Sequence, residues 1–185
     1  RRSSDLFKKD AIMMLGKAGF FVALFTEHIP YKEVPSKLKY EALSEFLLTL
    51  YREKKEQKIA VLGLNPHAGD GGVLGSEEEI IKKAIEFANK TLKEDVFDGP
   101  LVPDTAFVKH NREKYRLFVA MYHDQGLIPL KTLFFDESIN VSLNLPIIRT
   151  SVDHGTAFDI AYSKTIPNTL SYINAVKEAI LLAKK

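Results

Sequence analysis

A chain of 185 residues with 45% hydrophobic side chains can bury a sizeable core, as one large domain or as parts of two. A net charge of +2 gives no electrostatic footprint for nucleic acid or an acidic membrane surface, and no apolar run approaches the roughly 20 residues of a membrane helix. The absence of cysteine excludes disulfides and thiolate-bound zinc and fits a reducing, cytoplasmic setting. No signal peptide is visible. The opening Arg1-Arg2-Ser3-Ser4-Asp5, without an initiating methionine, reads as the interior of a longer protein.

In chain order, Ala11 to Leu15 and Phe20 to Thr26 are apolar runs around Gly16-Lys17-Ala18-Gly19, which predicts a hairpin. The second run ends in Glu27-His28-Ile29-Pro30, where Pro30 blocks continuation, so His28 sits at a strand end. Ser36 to Glu53 places Leu38, Ala42, Leu43, Phe46, Leu47 and Leu50 on one helical face, with Ser36 as N-cap. After the charged connection Arg52 to Lys58, the run Ile59 to Leu64 is a buried strand leading into Asn65-Pro66-His67. The glycine-rich Gly69 to Gly75 either cradles an anion or makes a tight connection; neither GxGxxG nor a Walker lysine is present. Ser76-Glu77-Glu78-Glu79 matches a capping box opening a helix to about Lys93. Asp98-Gly99-Pro100 predicts a turn, and Asp104-Thr105 the cap of a brief helix through Val108.

Leu117 to Met121 is an apolar run short enough for a buried strand. It stops at Tyr122-His123-Asp124-Gln125-Gly126, with Gly126 expected to release a turn. Open α/β sheets bind ligands at the carboxyl ends of their strands, so this polar cluster is a candidate site. Ile139 to Leu143 reads as a strand, Leu145 to Arg149 as another weakened by Pro146, and Ser151 to Thr156 as a loop before a short helix from Ala157 to about Tyr162. Thr169 to Lys184 is a final amphipathic helix. Strands alternating with helices indicate an α/β fold.

Three histidines, His28, His67 and His123, fall at predicted strand ends. Each taken singly is an ordinary loop histidine; three at equivalent positions suit a divalent metal with open coordination positions. Asp124 and Asp104 are carboxylates available to orient a ligand or take a proton, Asp104 equally an N-cap. Lys131, Asn140 and Arg149 lie near element ends and could clamp an anion, or the two cations could be surface charge.

Together LNPHAGDGG (64–72), PDT (103–105), MYHDQGLIPLK (121–131) and LPIIRTSVDHGTA (145–157) resemble the 4-hydroxythreonine-4-phosphate dehydrogenase family of pyridoxal phosphate biosynthesis. The resemblance covers essentially the whole chain. It implies an α/β/α sandwich like that of isocitrate and isopropylmalate dehydrogenases, with the N-terminal half of the protein absent. Residues 1–150 would be mainly the second, metal- and substrate-binding, dimerising α/β domain, and 151–185 a segment returning to the missing first domain. It implies a homodimer whose active site is shared across the interface. His28, His67 and His123 would bind one divalent ion (Zn, Co or Mg). Asp124, Asp104 and Lys131 would be catalytic, and Lys131, Asn140 and Arg149 would hold a small phosphorylated substrate. DHGTAFD (153–159) resembles the HGSAPD-type loop that holds adenosine, assigning NAD or NADP to His154, Gly155, Thr156 and Ala157, although Phe158 replaces the expected proline. The implied reaction is oxidation and decarboxylation of 4-phosphohydroxy-L-threonine. The alternatives are a dehydrogenase of phosphorylated threonate or another hydroxy acid, or a metal-binding, dimerising fragment without activity.

Overall fold

The computed structural model describes residues 11–155, 158 and 160–184. The strands are β1 (Ile12–Lys17), β2 (Phe20–Leu24), β3 (Ile59–Leu62), β4 (Phe97–Leu101), β5 (Leu117–Ala120), β6 (Ile139–Leu143) and β7 (Arg149–Val152). They form one sheet in the order β4-β3-β5-β2-β1-β6-β7. The helices are α1 (Val34–Lys37), α2 (Tyr40–Lys54), α3 (Glu77–Leu92), α4 (Lys109–Lys114), α5 (His123–Phe134) and α6 (Leu170–Ala183).

The expected hairpin is present: β1 and β2 pair antiparallel from Met14 opposite Ala23 to Lys17 opposite Phe20. Strands β4, β3, β5 and β2 run parallel to one another. Every residue of β2, β3 and β5 is buried, which is why they read as unbroken apolar runs: both faces of a parallel sheet are covered. In β6 the pattern alternates, with Ile139, Val141 and Leu143 buried and Asn140 and Ser142 less so.

The two faces carry separate cores. On one, α2, α3 and α6 bring Leu43, Leu47, Ile81 and Ala175 against Met14, Ile59 and Val119. On the other, Leu127 and Leu130 of α5 meet Leu15, Phe20, Val22 and Phe118. Helices on both faces make the α/β/α sandwich. The last helix is docked by a buried ion pair, Lys54 Nζ to Glu178 Oε1 at 3.4 Å, with the same ammonium 5.1 Å from the centre of the Phe21 ring.

Several local expectations are corrected. The helix expected from Ser36 is broken: α1 ends at Lys37 and α2 begins at Tyr40, while the Ser36 hydroxyl bonds back to the Glu33 carbonyl. Ser76 makes no side-chain cap on α3. Asp98-Gly99-Pro100 lies inside edge strand β4, where the Asp98 carboxylate takes Lys114 and the Tyr115 hydroxyl. Asp104 and Thr105 belong to turns rather than a helix, and the helix begins at Lys109. Leu145 to Ile148 is a bent connection, and the strand is shifted to Arg149–Val152. The described residues between 158 and 162 form turns, not a helix.

Gly126 does not release a turn. It is the fourth residue of α5, at the point where the helix touches the sheet. A Cβ there would lie 2.5 Å from Val22 Cγ1 and 3.0 Å from Ala120 Cβ. The glycine therefore sets how close α5 approaches β2 and β5. Gly126→Ala gains helix propensity, about 1 kcal/mol, but overpacks a rigid β-branched neighbour. We expect net destabilisation of roughly 1–2 kcal/mol, measured by urea unfolding.

Candidate functional site

Because β2, β3, β4 and β5 are parallel, the residues that follow them leave the same edge of the sheet. That edge receives His28 after β2, His67 after β3, Asp104 after β4 and His123 after β5. Neighbouring strands β2 and β5 bring two of these together: the His28 and His123 rings lie with centroids 5.3 Å apart. The spacing is held just below them, where the buried Thr26 hydroxyl donates to the Met121 carbonyl at 2.7 Å. Asp124 Oδ1 lies 2.7 Å from His123 Nδ1, which engages that nitrogen and leaves Nε2 as the one able to meet a ligand.

Tyr122 and Tyr31 form the adjoining wall, edge to face with centroids 5.1 Å apart. Burial, a hydrogen bond with the Tyr31 hydroxyl and the nearby Asp124 charge push the Tyr122 phenol up to about 12. It stays protonated at neutral pH, so it can donate a hydrogen bond but cannot serve as a base.

His67 does not join the pair. It lies in a 3-10 turn, Pro66–Gly72, whose residues His67, Ala68, Gly69, Asp70 and Gly71 all have left-handed φ between 44° and 80°. Each non-glycine member costs roughly 1 kcal/mol. The turn wraps around the Glu78 carboxylate, which accepts from Leu64 N (2.9 Å), Asn65 N (2.7 Å) and Asn65 Nδ2 (2.9 Å). A Cβ at Gly69 would sit 2.6 Å from Glu78 Oε2. The glycine-rich loop is thus a tight connection closed around an internal anion. Among the described residues no group of three histidine, aspartate or glutamate side chains could hold a metal. Among the described residues the expected three-histidine set is therefore not assembled within one chain: His28 and His123 lie together, and His67 does not join them.

The three anion-clamp candidates share a region. Asn140 pairs with Leu15 on one side and Ser151 on the other, so these three side chains face the α5 side of the sheet. Arg149, opposite Ser142, faces the same way and donates from Nη1 to the Ser142 hydroxyl at 2.9 Å. Asn140 Oδ1 is buried and has no hydrogen-bond partner among the described residues, an unusual state for a native amide oxygen. Lys131 sits eight residues after His123 on α5, about 12 Å along its axis, and its ammonium is paired with Asp153 Oδ2 at 2.7 Å.

Asp153 gathers a small network: Oδ2 also accepts from Ser138 Oγ at 2.8 Å, and its N–H donates to Ser171 Oγ at 3.2 Å. His154 is exposed, with Nδ1 2.9 Å from the Gly155 carbonyl oxygen. Thr156 and Ala157 lie outside the described residues. Asp104 is exposed. The residues not anticipated from sequence are Thr26, Glu78 and Asp153; Gln125 belongs to the expected polar cluster, but its bridge between β5 and β3 was not foreseen. The partners of Thr26, Glu78 and Asp153 lie thirteen or more residues away, so no local pattern marks them. Removing the Asp153 carboxylate leaves Lys131 and Ser138 without it. Asp153→Ala is expected to cost about 1–3 kcal/mol in urea unfolding.

The family model described as pyridoxal phosphate biosynthetic protein PdxA matches residues 3–179. A 4-hydroxythreonine-4-phosphate dehydrogenase of Sulfurimonas denitrificans is 65% identical over 179 residues, covering 97% of this chain and 58% of that protein. One from Campylobacter fetus is 57% identical over 177 residues, covering 95% and 57%. The crystal structure of 4-hydroxythreonine-4-phosphate dehydrogenase from Klebsiella pneumoniae superposes with a TM-score of 0.81 at 34% identity, over 98% of this chain and 56% of that one. The chain therefore spans less than three-fifths of the length of these relatives. With the family model covering nearly its full length, this chain belongs to the PdxA family of pyridoxal phosphate biosynthetic proteins.

Proposed function

We propose that the protein carrying this chain is an NAD- or NADP-dependent, divalent-metal-dependent dehydrogenase. It oxidises and decarboxylates 4-phosphohydroxy-L-threonine in the cytoplasm. The observation that supports it best is the His28–His123 pair with Asp124 on His123 Nδ1, at the carboxyl edge of the parallel strands. Family membership and the relatives' printed names supply the substrate.

In this reading His28 and His123 hold the metal (Zn, Co or Mg), and the open position is filled by His67 of a second copy in a homodimer. Bound there, the metal would supply a Lewis acid for the substrate alcohol, and a nicotinamide cofactor would supply the hydride acceptor. Asp124 orients the His123 ring and is the nearer candidate base; Asp104, at the same sheet edge, is the other. Asn140, with its free oxygen, and Arg149 fix the polar ends of the substrate. Lys131 joins them once the substrate competes with Asp153 for its ammonium. The cofactor assignment of 154–157 is supported by the sequence resemblance. The two-domain arrangement is supported by α6, whose outer side carries exposed Tyr172, Ile173, Val176, Ile180 and Leu181. A helix apolar on both sides is one buried on both sides in the complete protein.

The test is turnover of the protein expressed from its whole gene, with 4-phosphohydroxy-L-threonine and phosphorylated threonate compared under each metal. Preference for the threonate would replace the substrate. His123→Ala is expected to abolish cobalt binding, followed by absorbance, while leaving the far-UV circular dichroism unchanged. Full retention of turnover would remove the metal assignment. Arg149→Ala is expected to raise KM by roughly 10–100-fold, the loss of a charged hydrogen bond, with kcat little changed. A pure kcat effect would make it a catalytic group instead.

A further inference from the structure

The Gly63–Leu64–Asn65 segment, which leads from β3 into the turn bearing His67, is held from two sides. On one side stands Gln125 of α5. Its Oε1 accepts from Met121 N at 2.7 Å and its Nε2 donates to the Gly63 carbonyl at 2.7 Å. One side-chain amide thus spans the ends of β5 and β3, and the donor and acceptor it meets fix which way round it lies. On the other side stands Glu78, in the first turn of α3, whose carboxylate takes the amides of Leu64 and Asn65. Glu78 is 8% exposed, and among the described residues its partners are N–H groups rather than a cation. A carboxylate buried in this way is held by amide dipoles and the helix N-terminus, and it costs stability unless the donors are fully aligned with it.

Two further backbone groups of the segment are also taken. Gly63 N donates to the Leu101 carbonyl at 2.8 Å, and the Asn65 carbonyl accepts from Ala68 N at 3.1 Å. Beyond Pro66 the backbone turns left-handed, from His67 to Gly71. A left-handed run with non-glycine members persists only where its surroundings over-determine it. We propose that Gln125 and Glu78 are positioning residues which jointly clamp Gly63–Asn65. They thereby set the direction in which His67 leaves the sheet relative to His123, which lies two residues from Gln125. The consequence for ligand binding rests on the metal reading of His67 given above; the clamp itself does not.

The decisive variant is Gln125→Glu, which keeps the shape but turns the donor facing the Gly63 carbonyl into an acceptor. Glu78→Gln reads the clamp from the other side, should the first variant fold poorly. Amide hydrogen exchange is compared with wild type in the protein expressed from its whole gene, alongside a titration with cobalt alone. We expect exchange at least tenfold faster across residues 63–74, an unchanged β1–β2 hairpin, and cobalt affinity about 10–100-fold weaker, as for outer partners of metal ligands. Unchanged exchange in 63–74 overturns the clamp, as does acceleration spread evenly over the strands. A loosened loop with unchanged cobalt affinity overturns its role in binding. If the wild type binds no cobalt, the metal reading fails, and the exchange comparison alone decides the clamp.

Discussion

Parallel pairing of β2, β5, β3 and β4 is the constraint on which the rest of this structure depends. Once four strands share a direction, whatever follows each of them emerges on one border of the sheet. The faces of β2, β3 and β5 are then covered by helices, and their sequences must be apolar throughout. The chemistry is thereby pushed out of the strands into the few residues after them. His28, His67, Asp104 and His123 are all such residues, although they are spread over nearly a hundred positions of sequence.

The ladder of backbone bonds ends where the candidate site begins, and side chains take over its task. Thr26 ties the end of β2 to Met121, and Gln125 ties Met121 to Gly63 at the end of β3. Three strand ends are laced by two polar side chains, and Gln125 meets a donor on one strand and an acceptor on another. A similar economy holds at the opposite side of the sheet. Asp153 there collects Lys131 and Ser138 on its carboxylate and Ser171 on its backbone N–H, joining α5, the approach to β6 and α6 at the end of β7.

Much of the fold was legible in the sequence, because hydrophobic pattern is a local property. The hairpin, the buried strands β3 and β5, the alternating β6 and the last helix all stand close to where their residues indicate. What failed were starts and stops set by tertiary partners. Ser76 satisfies a capping pattern, yet the acidic residue that acts is Glu78, and it serves a loop thirteen and fourteen residues away. Gly126 looks like a helix breaker until its contact with Val22 is known. The pairing of His28 with His123 follows from strand order, which pattern alone does not give. The separation of His67 follows from a left-handed turn that no residue in it demands by itself.

The border strand β4 has a consequence for assembly. A strand at the end of a sheet normally offers a row of free amides and carbonyls to any other chain. Here that strand contains Gly99 and Pro100, and proline brings no N–H to such a row. The residues that look like a turn in sequence therefore act as a stop to lateral growth of the sheet. A second copy arriving at this border finds an interrupted template. Addition of a further strand on that flank is thereby disfavoured.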